Sequence, residues 1–159
     1  MAKIVIPNYI IDNVHYLCEL HDIKVIKDDR YLGLYRESGN NKRQILIHSG
    51  LYATSVLLHE FYHAIDFLLT PLTTDLFFLS TRQRTLIIIE REFVADTCCI
   101  LLLGKLGMDT KIFESRIRGL ESRRRTRLRV GRIKEIMDAS NLHIQDLRLH
   151  TGGKVTQTL

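Results

Sequence analysis

The chain has 159 residues, 45% hydrophobic and 26% charged, with a formal net charge of +5 at pH 7. That is one domain's length with apolar content enough for a true core, which excludes a disordered or low-complexity chain. The modest positive charge permits an acidic or nucleic-acid partner without requiring one.

No run is long and apolar enough to span a membrane, and the opening MAKIVIPNYIIDN lacks a basic flank followed by a signal-type core. A cytoplasmic location is therefore expected. Cys18, Cys98 and Cys99 are an odd number with two adjacent, which fits thiols of a reducing compartment and gives no disulfide framework.

In chain order, Pro7 suits the first turn of a helix from Asn8 to about His21, with Ile10, Ile11, Val14, Leu17 and Cys18 as its apolar stripe. Lys24 to Lys27 and Tyr31 to Arg36 read as short strands divided by Asp28-Asp29. A turn at Ser38-Gly39-Asn40-Asn41 leads to a third strand, Gln44 to His48, so a small antiparallel sheet is expected. Gly50 breaks the chain before a helix that ends near Thr70-Pro71, because proline disfavours helical geometry in the residue before it.

A long, central helix is expected from about Ser80 to Leu106, almost wholly apolar from Cys98 to Leu103. Gly104 and Gly107 punctuate its end, and Asp109 can cap another helix running to about Arg124. A last helix spans Val130 to Ser140. The expected organisation is a single α+β domain over 1–150 followed by a flexible tail, 151–159.

The chemistry lies in Tyr52 to Leu69, YATSVLLHEFYHAIDFLL, which holds His59, Glu60 and His63 as His-Glu-x-x-His. On a helix the two histidines project from one face a turn apart, a spacing at which both imidazoles bind one tetrahedral zinc ion. Glu60 then stands beside the metal, where its carboxylate takes a proton from a zinc-bound water. Uncharged flanks, Val56 to Leu58 and Phe61 to Tyr62, are those of a buried helix with only its metal face open.

A catalytic zinc needs a third protein ligand. The central helix offers Glu90, Glu92 and Asp96 in IIIEREFVADTCC. Glu92 and Asp96 are four apart and share a face, so Glu92 can bind metal while Asp96 accepts the ring N–H of a ligating histidine. Glu90 points to nearly the opposite side and is the weaker candidate. Buried Cys98 and Cys99 read as plain core.

HEFYH followed downstream by EFVAD resembles the HExxH plus ExxxD/E pattern of gluzincin-type zinc peptidases. YATSVLLHEFYHAID with EFVADTCCILLLGKLGM resembles the metallopeptidase domain of ArdC-type antirestriction proteins, which implies a mobile-element or phage setting, and more distantly the ImmA/IrrE-type regulatory peptidases. The resemblance covers roughly Gln44 to Met108. It implies a small zincin-like fold, with the sheet packed on the motif helix and the glutamate helix behind, and C-terminal helices after it.

It also implies that His59, His63 and Glu92 bind Zn2+, that Glu60 is the base, and that Asp96 supports a ligand. In that fold the strand before the motif helix edges the cleft, which would give Ile45, Leu46 and Ile47 a substrate-aligning role by β-augmentation. The separate DNA-binding domain of ArdC-type proteins has no counterpart in 159 residues, so DNA binding is not implied.

Arg116, Arg118, Arg123, Arg124, Arg125, Arg127, Arg129, Arg132 and Lys134 crowd one region, which suits a phosphate backbone, an acidic partner or two solvated helix faces. Tyr52, Tyr62, His143 and His150 are each candidates to stabilise a developing oxyanion. The expected function is an intracellular zinc-dependent peptidase with a narrow protein target. The alternative is a non-proteolytic, metal-stabilised module of nucleic-acid-binding or antirestriction type that uses the arginine-rich region 116–134.

Overall fold

The first helix, α1 (Asn8–Leu20), starts after Pro7, whose carbonyl accepts from the backbone N–H of Ile10 and Ile11, and it buries Ile10, Val14, Leu17 and Cys18. This is a computed structural model, and it describes residues 6–39, 42–50, 53–71, 78–121 and 129–140. The tail, 151–159, and the turn residues Asn40 and Asn41 lie outside them.

Three strands follow: β1 (Ile23–Lys27), β2 (Gly33–Ser38) and β3 (Lys42–Ile47). Their order is β1-β3-β2, with β3 antiparallel to β2 but parallel to β1. The sheet is therefore mixed, where a purely antiparallel one was expected. β3 pairs with β2 from Gly33↔Ile47 to Ser38↔Lys42, and its other edge takes β1, so β1 and β2 are not neighbours although they are consecutive in the chain.

This order overturns one site assignment. Ile45, Leu46 and Ile47 lie on the central strand, and their backbone is flanked by β1 on one side and β2 on the other. All three are buried. A strand with both edges paired cannot accept a substrate strand, so they form core and the edge nearest the cleft belongs to β2.

The motif helix, α2 (Ala53–Leu69), is the hub of the fold: it touches α1, β2, β3, the long helix α3 (Thr81–Lys105) and the last helix α5 (Arg129–Ser140). Every residue from Leu57 to Asp66 is buried. Full burial of side chains such as Leu58 and Phe61 contributes about 1.5–3 kcal/mol each. One hydrophobic cluster runs from Ile6 to Met137, with α2 and α3 at its centre.

Helix α3 is well delimited. Ser80 accepts from Gln83 N while the Gln83 side chain accepts from Ser80 N, a reciprocal capping box. At the other end Gly107 takes φ +70°, a conformation that glycine adopts without a Cβ penalty, and Met108 N returns to Leu103 O. The turn delivers α4 (Lys111–Glu121) back along α3.

A buried carboxylate ties three helices. Asp66 of α2 accepts from Arg91 of α3 and from both Nε and Nη2 of Arg132 of α5. Arg91 also donates through Nη2 to Thr70 O and lies 3.7 Å over the Phe67 ring, so its two terminal nitrogens are paired and its face is stacked.

Candidate metal centre

The one-turn spacing on α2 brings His59 Nε2 and His63 Nε2 to 3.0 Å from each other. From α3, Glu92 places Oε1 3.1 Å from His63 Nε2 and Oε2 3.2 Å from His59 Nε2. These three side chains form a group that can hold a metal ion.

The donor set fits such an ion. Asp96 Oδ1 is 2.8 Å from His59 Nδ1, a short contact although not an aligned hydrogen bond, and it draws the ring proton to Nδ1. The Nε2 lone pair of His59 then faces a second imidazole nitrogen and a carboxylate. Two imidazole nitrogens and a carboxylate converge, an arrangement that a bound cation would satisfy. Ligand atoms bound about 2.0–2.1 Å from a tetrahedral zinc lie about 3.3 Å apart, slightly wider than the separations here.

Charge tells the same story. Burial disfavours a proton on His59, yet the Asp96 and Glu92 carboxylates override it and raise its pKa to about 9. Burial likewise pushes Glu92 up, but His59 and His63 hold it well below the usual carboxylate range. Glu60, Glu92 and Asp96 together exceed the local positive charge, and His59 compensates by gaining proton affinity where a metal would satisfy the same demand.

Glu60 is set by β2. Its Oε2 accepts from Tyr35 N at 2.8 Å, and Oε1 lies against Gly33. A Cβ on Gly33 would stand 2.7 Å from Glu60 Oε1 and 2.3 Å from Val56 Cγ1, so the close approach of strand to helix requires glycine. Burial raises the Glu60 pKa; the two histidines and the Tyr35 N–H oppose the rise without cancelling it.

The metal group opens on a cavity of about 440 Å³ lined by Leu32, Gly33, Val56, Glu60, Ile112 and Phe113 among others. Its far wall is α4, from which Arg116 reaches inward. Arg116 Nη2 is 2.9 Å from Glu92 Oε2 and 3.4 Å from His59 Nε2, and Nε is 3.1 Å from Asp96 Oδ2. The sequence placed Arg116 only within a basic stretch. Ile112, Phe113 and Arg116 share a helix face by their spacing, but which surface that face meets depends on the α3–α4 turn.

The structure thus brings together His59, Glu60, His63, Glu92 and Asp96. Tyr62 is fully buried among Cys98, Cys99 and Ser140, away from the cleft, and is no oxyanion donor. Both cysteines are core, with burial pushing Cys98 up to about 12. Tyr52, His143, His150, Arg123, Arg124, Arg125 and Arg127 lie outside the described residues; Arg129 opens α5, with its side chain outside them. Arg116 and Arg132 are engaged with internal carboxylates and do not join an outward basic patch.

Compared with family models, curated proteins and solved structures, the chain matches none. Among the described residues, no helix is long and apolar enough to cross a membrane.

Proposed function

We propose that the chain is a cytoplasmic, zinc-dependent peptidase of the gluzincin type, acting on a narrow protein target. What supports the reading is one convergence: His59, His63 and Glu92 meet within reach of a single ion, and Glu60 lines the same cavity as His59 and Glu92. Bound there, zinc supplies Lewis-acid polarisation and lowers the pKa of a water toward neutrality.

The chain's own residues do the rest. Tyr35 N–H fixes one oxygen of Glu60, leaving the other to accept a proton from the attacking water as its oxygen joins the carbonyl carbon. The carbonyl π pair moves onto its oxygen. When that pair returns, the C–N bond breaks and Glu60 passes its proton to the departing amine, giving a carboxylic acid and an amine. A carboxyl group whose pKa is raised by burial is suited to both halves of this exchange.

Strand β2 replaces β3 as the substrate-aligning element. Leu32 O accepts from His48 N on the β3 side, whereas Tyr35 N turns away toward Glu60. By alternation Gly33, Tyr35 and Glu37 present their backbone to the cleft edge, where an extended peptide can pair.

The test is Glu60→Gln, which keeps the shape and the three ligands while removing the base. Zinc content stays at the wild-type level and hydrolysis falls about 10²–10⁴-fold. The target is sought by comparing wild-type and Glu60→Gln cells for proteins lost only with wild type. A target cut by Glu60→Gln at the wild-type rate ends this reading.

A further inference from the structure

We infer that Arg116 is the anion-binding group of the cleft, placed to meet the negative charge that develops on the substrate's carbonyl oxygen. The inference rests on the peptidase reading but is testable without a peptide. Among the described residues, Arg116 is the only Lys or Arg that lines the cavity, and it does so from α4, whereas Glu60 lines it from α2 against β2. Base and cation thus reach the same cavity from different helices, Glu60 from α2 and Arg116 from α4. The reaction has a use for both: the proton leaves toward Glu60 and negative charge builds on the other oxygen.

Position supports the assignment. Nη2 contacts Glu92 Oε2 and approaches His59 Nε2, two atoms of the metal group, so it borders the point where an exchangeable ligand would lie. The guanidinium is oriented by Asp96 and Glu92, yet the side chain is 44% exposed and has further N–H groups to offer an oxygen in the cavity.

Charge supports it too. Glu60, Glu92 and Asp96 contribute three negative charges, a divalent ion offsets two, and Arg116 offsets the third. With Arg116 the loaded cleft is neutral, and new negative charge meets a cation. Without it, the same charge would develop in a cleft already negative.

The experiment uses the full chain loaded with zinc, inorganic phosphate as a tetrahedral oxyanion probe, and calorimetry on wild type, Arg116→Ala and Arg116→Lys. Wild type binds phosphate, Arg116→Ala binds about 10-fold or more weakly, and Arg116→Lys lies between, as a charge without the planar fork should. Zinc affinity, measured against a competing chelator, stays within about 3-fold in all three, because none of the ligands is removed.

Equal phosphate affinity in wild type and Arg116→Ala overturns the inference, as does failure of wild type to bind phosphate at all. A parallel loss of zinc in Arg116→Ala also overturns it, since Arg116 would then only steady Glu92. Once a cleaved target is in hand, Arg116→Ala lowers kcat about 10²–10³-fold with KM nearly unchanged; a rise in KM alone overturns the assignment in favour of a substrate carboxylate. Phosphate binding that depends on Arg116 in a protein with no hydrolysis supports the anion site while removing the peptidase reading.

Discussion

Arg91 Nη1 lies 3.0 Å from Asp66 Oδ2, and this buried pair sits at a point of leverage. Asp66 is three residues beyond His63 on α2, and Arg91 is the immediate neighbour of Glu92 on α3. The pair therefore fixes how far one helix slides along the other, and with it the distance from His63 to Glu92.

Replacing Asp66 by alanine strands two guanidinium groups, one of them buried, without their shared carboxylate. The expected destabilisation is about 3–5 kcal/mol in urea unfolding. Metal affinity falls with it, because the register of α2 against α3 loosens. A loss below about 1 kcal/mol would make the cluster no more than a surface-type ion pair.

Gly33→Ala places a methyl group where Val56 and Glu60 already stand. Overpacking of this kind costs about 1–3 kcal/mol. The sharper consequence is displacement of Glu60 from Tyr35 N–H. Hydrolysis drops severely while zinc content is kept, so metal analysis and activity measured on the same preparation should part company.

Removing the ion should loosen the α2–α3 contact that it spans. A chelator lowers the Tm of wild type, and His63→Ala, lacking a ligand, starts from the lower Tm and does not respond to chelator. At zinc 100-fold above its Kd the bound ion contributes about 2.7 kcal/mol. Identical Tm values for wild type with and without chelator would show that no ion is held in the folded chain.

Asp96 is fully buried and touches both His59 and Arg116. Asp96→Asn keeps the shape but weakens the pull on the His59 ring proton. Zinc affinity is expected to fall about 10–100-fold, read by chelator competition, with little change in secondary structure by circular dichroism.

Much of this was legible in the chain because the information is local. The spacing of His59 and His63 sets one helix face, and Glu92 and Asp96 share another by the same geometry; Ser80 with Gln83 announces the start of α3. Strand order is not local. The unbroken apolar run Ile45-Leu46-Ile47 carried the mark of a strand buried on both faces, yet only the pairing partners reveal that it is central. Gly33 was visible as a lone glycine within a strand pattern, a sign of close backbone approach, but the helix it approaches is far along the chain. Arg116 depended on the reversal between α3 and α4, and its neighbours in sequence pointed toward a solvated basic stretch.

The two ends of the sheet are treated differently, and the difference bears on self-association. Among the described residues β1 has no partner beyond β3, and an open edge of that kind invites another copy to add a strand and begin an aggregate. Exposed Lys24 and Lys27 sit on that strand, so a second copy would bring like charges together in register. The β2 end has Glu60 against its backbone. A stray strand thus meets lysine charge at one edge and the Glu60 carboxylate at the other.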